Sequence, residues 1–111
     1  DHANLLRVLP AGTVGTVAAV MFNLGYLPGS DRRLITKPET TVVALDAGLK
    51  ALRPGGVLTA VVYSGHEGGP EEASAVDRWA AGLSPEKFQA LRYGIVNRNA
   101  PPFVIAVEKL R

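Results

Sequence analysis

Two unbroken apolar runs constrain this chain more than anything else in it: Val17-Ala18-Ala19-Val20-Met21-Phe22 and Val57-Leu58-Thr59-Ala60-Val61-Val62-Tyr63. Neither shows a strict apolar-polar alternation, and such runs suit strands covered on both faces of a parallel sheet. Each stops at a cluster of turn formers. Asn23, Gly25, Pro28, Gly29, Ser30, Asp31 and Pro38 follow the first, and Ser64-Gly65-His66-Glu67-Gly68-Gly69-Pro70 follows the second. Breakers at that density predict two irregular loops.

Between the runs, Thr40 to Leu52 repeats apolar residues at helical spacing (Val42, Val43, Leu45, Leu49, Leu52), and Pro54-Gly55-Gly56 ends the pattern. Strand, loop, helix and strand make a parallel unit with a right-handed crossover. Pro70, Glu71 and Glu72 open a further helix to about Leu83, the acids favouring its positive end. Within it Trp79 is spaced helically from Val76 and Leu83 and reads as core. Ala90 to Val96 and Phe103 to Val107 read as strands, and the short Asn97-to-Pro102 connection makes them an antiparallel hairpin. A short helix is expected over Ala3 to Leu9, stopped by Pro10-Ala11-Gly12. The predicted class is therefore α/β, a mostly parallel sheet with a terminal antiparallel hairpin, forming a single domain over residues 1–111. Ligands of such sheets sit beyond the carboxyl ends of the parallel strands. Both glycine-rich loops leave from that edge.

Composition removes several function classes. A chain of 111 residues with 47% hydrophobic content can bury a core without staples. It has no cysteine, so neither a disulfide nor a thiolate zinc site can form. Its two histidines are far apart, which makes no metal pattern. Ser64 lies between Tyr63 and Gly65, outside any Gly-x-Ser-x-Gly nucleophile elbow. The lack of cysteine fits a reducing compartment, and the cytoplasm is the expected location. No apolar run reaches the ~18 residues of a membrane span, so no membrane partner is expected. A net charge of +2 permits an RNA partner without demanding one.

At the end of the first run, Asn23-Leu24-Gly25-Tyr26-Leu27-Pro28-Gly29 combines an amide, a glycine, an aromatic with a polar tip and a rigid proline. This stretch is similar to the Asn/Asp-Pro-Pro-Tyr motif that follows the fourth strand of class I S-adenosylmethionine-dependent methyltransferases acting on amino nitrogens. Leu24 and Gly25 replace its two prolines. Taken with Thr36-Lys37-Pro38-Glu39-Thr40-Thr41, Val62-Tyr63-Ser64-Gly65-His66 and Pro101-Pro102-Phe103, in that order, it resembles one narrower group, the bacterial Putative rRNA methylase family. Characterised members of that group are similar to a tRNA wobble-uridine methyltransferase of the same fold. The likeness runs through nearly the whole chain.

The resemblance implies S-adenosylmethionine as cofactor and RNA, most specifically tRNA, as partner. The implied acceptor is an amino nitrogen, that of wobble 5-aminomethyl-2-thiouridine. Methyl transfer is an in-line displacement that needs an uncharged amine lone pair aimed at the carbon, so positioning dominates. Asn23 would accept the amine's hydrogens and Tyr26 would stack on the base; the plainer alternative is a turn cap and loop packing. His66, on the same sheet edge, either accepts a proton or is an ordinary loop histidine. Asp1 and His2 would approach the cofactor together with Asn23 and Leu24. Gly25, Leu27, Pro28, Tyr63 and Ser64 would line the substrate side. Lys37, near Arg32 and Arg33, either touches RNA phosphates or is solvated. Arg98, between Asn97 and Asn99, either contacts the nucleic acid backbone or belongs to a turn.

Class I methyltransferases carry a glycine-rich loop after their first strand and an acid ending the second, and this sequence has no counterpart of either. Gly12 and Gly15 precede its first strand. The expectation is the C-terminal part of a Rossmann-like domain, keeping the fourth to seventh strands in the order fourth, fifth, seventh, sixth, with the seventh antiparallel. An unpaired fourth-strand edge then implies weak or no cofactor binding by the isolated chain, and either self-association, as in a homodimer, or the loss of its first half. The alternative function is a non-catalytic α/β module that binds RNA or another subunit through the same loops.

Overall fold

The computed structural model describes residues 14–25, 38–65 and 68–111. Its elements in chain order are β1 (Val17–Leu24), α1 (Pro38–Ala51), β2 (Leu52–Val62), α2 (Gly69–Ala81), β3 (Phe88–Gly94) and β4 (Phe103–Lys109). The helix expected over Ala3 to Leu9 lies outside the described residues.

The four strands form one sheet in the order β1-β2-β4-β3, the order the resemblance implies. The expectation of a mostly parallel sheet is corrected. β1 pairs with β2 in parallel, but β2 with β4 and β3 with β4 are antiparallel. The connection from β3 to β4 is too short for a crossover, so β4 must return beside β3. Because it inserts between β2 and β3, that one reversed strand makes two of the three pairings antiparallel.

Both helices pack on one face of the sheet. Phe22 and Leu24 from β1, Leu58, Ala60 and Val62 from β2, and Phe103, Ile105 and Val107 from β4 form a buried cluster with Ala44, Leu45 and Leu49 of α1 and Ala73, Val76 and Ala80 of α2. These strand positions alternate, as the pleat requires for one face. The intervening residues face away from the helices, and among the described residues nothing covers them: Met21 is 79% exposed. Among the described residues the strands are therefore covered on one face only, where the apolar runs suggested both. An apolar run records that both sides of a strand tolerate oil, not that a second layer is present.

Local chemistry sets the boundaries. Pro38 and Glu39 occupy the first turn of α1, where a missing N–H costs nothing and an acid meets the positive helix end. The helix stops at Ala51 rather than Leu52, and β2 begins at once, five residues before the predicted start. Its pairing slips between Val17↔Leu52 and Ala19↔Val57, and the extra residues bulge through Gly55 at φ 84°. In α2, Gly68 (φ 81°) turns the chain in, Pro70 lies in the first turn, and Gly82 donates its N–H to the Arg78 carbonyl at the end. Trp79 is only half-buried at the rim of the core; its indole N–H donates to Asp46 Oδ1 at 2.8 Å, joining α2 to α1. Among the described residues no helix is long and apolar enough to cross a membrane.

Candidate functional site

The carboxyl ends of β1 and β2 lie side by side, because Asn23 pairs with Val61 and Leu24 with Val62. One further bond extends the ladder beyond the strands: Tyr63 N–H donates to the Leu24 carbonyl at 2.9 Å. The pleat then separates the neighbours in sequence. Leu24 is wholly buried on the helix side, so its side chain belongs to the core and only its main chain reaches the edge. Asn23 points to the open face and is exposed. Gly25 follows at φ 81°, a backbone that glycine adopts freely, and adds no side chain of its own at the strand end.

The second loop is anchored by close packing. Gly69, the first residue of α2, lies so near Ser64 that a Cβ there would stand 2.5 Å from the Ser64 carbonyl oxygen. The path of Tyr63 and Ser64 off β2 is thus set by the start of α2. Below it, Thr41 in the first turn of α1 donates to Glu72 Oε2 at 2.6 Å, and both residues are buried. This contact fastens together the starts of the two helices that follow the two edge loops. Sequence reasoning missed it, since Thr41 and Glu72 are 31 positions apart and share no motif.

Four residues stand in a row across the open face: Asn23 of β1, Val61 of β2, Val104 of β4 and Tyr93 of β3. Tyr93 was not among the residues singled out from sequence, though its alternation with Leu91 and Ile95 was a period-two signal. Behind the hairpin, Arg92 turns the other way. It bonds Asp77 Oδ1 at 3.2 Å and its guanidinium lies 4.0 Å from the centroid of the Phe103 ring.

The structure therefore brings Asn23, Leu24, Gly25, Tyr63 and Ser64 to one sheet edge. Arg98 is exposed in the β3–β4 connection, which leaves from that same edge. Asp1, His2, Tyr26, Leu27, Pro28, Lys37 and His66 lie outside the described residues. Among the described residues, no cluster of three or more His, Asp or Glu could hold a metal ion.

Comparison with known proteins agrees with this architecture. A tRNA (mnm(5)s(2)U34)-methyltransferase of Arabidopsis thaliana, chloroplastic, is 36% identical over 108 residues, which are 97% of this chain and 39% of that protein. A solved Clostridium thermocellum protein bearing an rRNA-methylase designation superposes with a TM-score of 0.85 at 38% identity, covering 97% of this chain and 56% of its own. A Streptococcus mutans protein named as a methyltransferase, crystallised in complex with SAH, gives 0.83 at 34% identity, covering 98% and 57%. The chain thus spans little more than half the length of these solved relatives and less of the plant protein. The fold of this chain thus superposes over nearly its whole length on these solved proteins. The sequence pattern of the Putative rRNA methylase family matches residues 1–108, and the chain belongs to that family.

Proposed function

We propose that this chain provides the acceptor side of an S-adenosylmethionine-dependent RNA methyltransferase, whose substrate is the amino nitrogen of a modified wobble uridine in tRNA. One observation carries the reading: the carboxamide of Asn23 opens on the sheet face at the carboxyl edge of the parallel pair, where ligands of such sheets bind. The relatives' names supply the chemistry, and the plant relative supplies the tRNA wobble position. In this reading β1, β2, β3 and β4 are the fourth, fifth, sixth and seventh strands of the methyltransferase sheet.

The edge fits such a cofactor from this side. Gly25 adds no side chain of its own at the strand end, beside the exposed Asn23 amide and the Leu24 main chain. When bound, the cofactor supplies a methyl group on a sulfonium sulfur. The chain's own contribution is orientation. The Asn23 carbonyl oxygen accepts an amine hydrogen and so turns the nitrogen lone pair outward. Tyr26 and His66 are assigned base stacking and proton acceptance, and Lys37 and Arg98 phosphate contact.

The test is methyl transfer from labelled S-adenosylmethionine to tRNA carrying 5-aminomethyl-2-thiouridine at the wobble position, measured with this chain and with a longer polypeptide containing it. Asn23→Ala should lower turnover about 100-fold or more, as loss of a positioning group does, with tRNA affinity little changed. No transfer by any polypeptide containing the chain would overturn the reading in favour of a non-catalytic RNA- or subunit-binding module.

A further inference from the structure

Two polar side chains are buried among the described residues, Thr41 and Glu72, and they bond each other. We infer that this pair is a positioning device of the acceptor site. It fixes the starts of α1 and α2 against one another, and so sets the ends of the two edge loops that lead into those helices, without touching the substrate. The inference rests on the methyltransferase reading above.

Stability alone is a weak reason for such a pair. A carboxylate taken out of water costs more than an apolar side chain of similar volume, and a buried polar pair is often no more stable than its apolar replacement. What the pair supplies is direction. The Thr41 hydroxyl donates to Glu72 Oε2 at 2.6 Å, the length of a charge-assisted O–H···O⁻ bond. The helix residues in the neighbouring cluster, Ala44, Leu45, Ala73 and Val76, are aliphatic, and apolar burial is non-directional, so it tolerates sliding. A second tie between the helices, Trp79 to Asp46, lies further along both of them. Loss of the Thr41–Glu72 bond therefore releases the helix starts without undocking the helices.

The bond also stands at the end of a continuous series of contacts that begins at the proposed site. Leu24, next to Asn23, accepts the Tyr63 N–H at 2.9 Å. Ser64 follows Tyr63, and its carbonyl abuts Gly69. Across the first turn of α2 the Glu72 N–H donates to the Gly68 carbonyl at 3.2 Å, and the Glu72 side chain then holds Thr41 in the first turn of α1. The residues assigned to the acceptor side fall in the two sequence segments that this series brackets: Tyr26 and Lys37 come between Leu24 and α1, and His66 comes between Ser64 and Gly69. Methyl transfer is steeply sensitive to placement, since a shift of about 1 Å can cost about 100-fold in rate.

The experiment uses the longer polypeptide containing this chain, tRNA carrying 5-aminomethyl-2-thiouridine and labelled S-adenosylmethionine. It compares wild type, Thr41→Ser, Thr41→Val, Glu72→Met and Thr41→Val/Glu72→Met at a temperature where thermal melts show each protein folded. Thr41→Ser keeps the hydroxyl and should retain kcat within about 2-fold, whereas Thr41→Val should lower kcat about 10- to 100-fold at unchanged KM for both substrates. In the Glu72→Met background, where the bond is already gone, Thr41→Val should change kcat by less than about 2-fold. A merely structural contact would lower Tm in Thr41→Val and leave kcat of the folded protein at the Thr41→Ser value, and that result would overturn the inference. An equal loss of kcat on Thr41→Val with and without Glu72 would also overturn it. If the Glu72→Met proteins do not fold, Thr41→Ser against Thr41→Val decides alone. Amide exchange supplies a readout without turnover: the Tyr63 N–H should exchange about 5-fold or more faster in Thr41→Val/Glu72→Met, or in Thr41→Val if the pair does not fold, beyond any change at Ala60 in the middle of β2. The two readings fail separately. If Tyr63 exchange rises as expected but no protein transfers methyl, the coupling stands and methyl transfer falls. If methyl is transferred but neither kcat nor Tyr63 exchange responds, methyl transfer stands and the positioning role falls.

Discussion

Replacing Gly69 by alanine probes the joint between the second edge loop and the helix that positions it. The added Cβ would lie 2.5 Å from the Ser64 carbonyl oxygen, 2.7 Å from its carbon and 2.9 Å from its Cα. Carbon atoms rest at about 3.5–4.0 Å, so the two main-chain segments must part by roughly 0.6–1 Å. All three obstructing atoms are backbone, which cannot swing aside as a side-chain end can. Overpacking of this kind costs about 1–3 kcal/mol, and the stiffer unfolded chain of the alanine variant returns about 0.4–1 kcal/mol. The net loss of about 1–2 kcal/mol should lower Tm by about 4–8 °C in a domain of this size. Gly65, in the same loop, is the control. It has no positive φ, and a Cβ there meets nothing within 4 Å among the described residues, so Gly65→Ala should leave Tm unchanged or raise it by about 2–4 °C. Thermal melts followed by far-UV circular dichroism compare the two. A Gly69→Ala protein that melts at or above wild type would refute the reasoning, since Ser64 would then not be held by α2.

Three further substitutions test the packing that supports the site. Thr41→Val removes the hydroxyl that donates to buried Glu72 and should cost about 1–3 kcal/mol in urea unfolding; adding Glu72→Met should recover part of the loss. Lys109→Met removes the ammonium that donates to the Leu52 carbonyl at 2.8 Å, just beyond the end of α1, and should lower stability by about 0.5–1.5 kcal/mol in the same assay. Leu58→Ala empties a fully buried position at the centre of the sheet and should cost about 2–5 kcal/mol, visible as a lower urea midpoint at unchanged slope.

Much of this architecture was legible because it is written in short-range chemistry. The breakers after Phe22 and Tyr63, the helical period from Val42 to Leu49 and the brevity of the Asn97-to-Pro102 link were enough for two edge loops, a crossover helix and a hairpin. The motif beginning at Asn23 marked the edge where the chemistry is proposed, since a strand that ends in an amide and a glycine presents both at a known place. Boundaries were less legible. Leu52 satisfies the helical period as well as the strand, and only its pairing with Val17 decided between them. The same holds for Trp79, whose spacing suits a core but whose indole nitrogen finds Asp46 at the rim.

Sequence by itself determined the α/β class, the order of elements, the family and the edge that carries Asn23, because each depends on neighbours along the chain or on a contiguous motif. Tertiary structure alone decided that only one sheet face is covered by the described helices, that Thr41 meets Glu72, and that Asn23 and Tyr93, 70 positions apart, share a row. The physical reason is register. Which side chains stand opposite one another across a sheet depends on how β4 inserts between β2 and β3, and no local propensity encodes that choice.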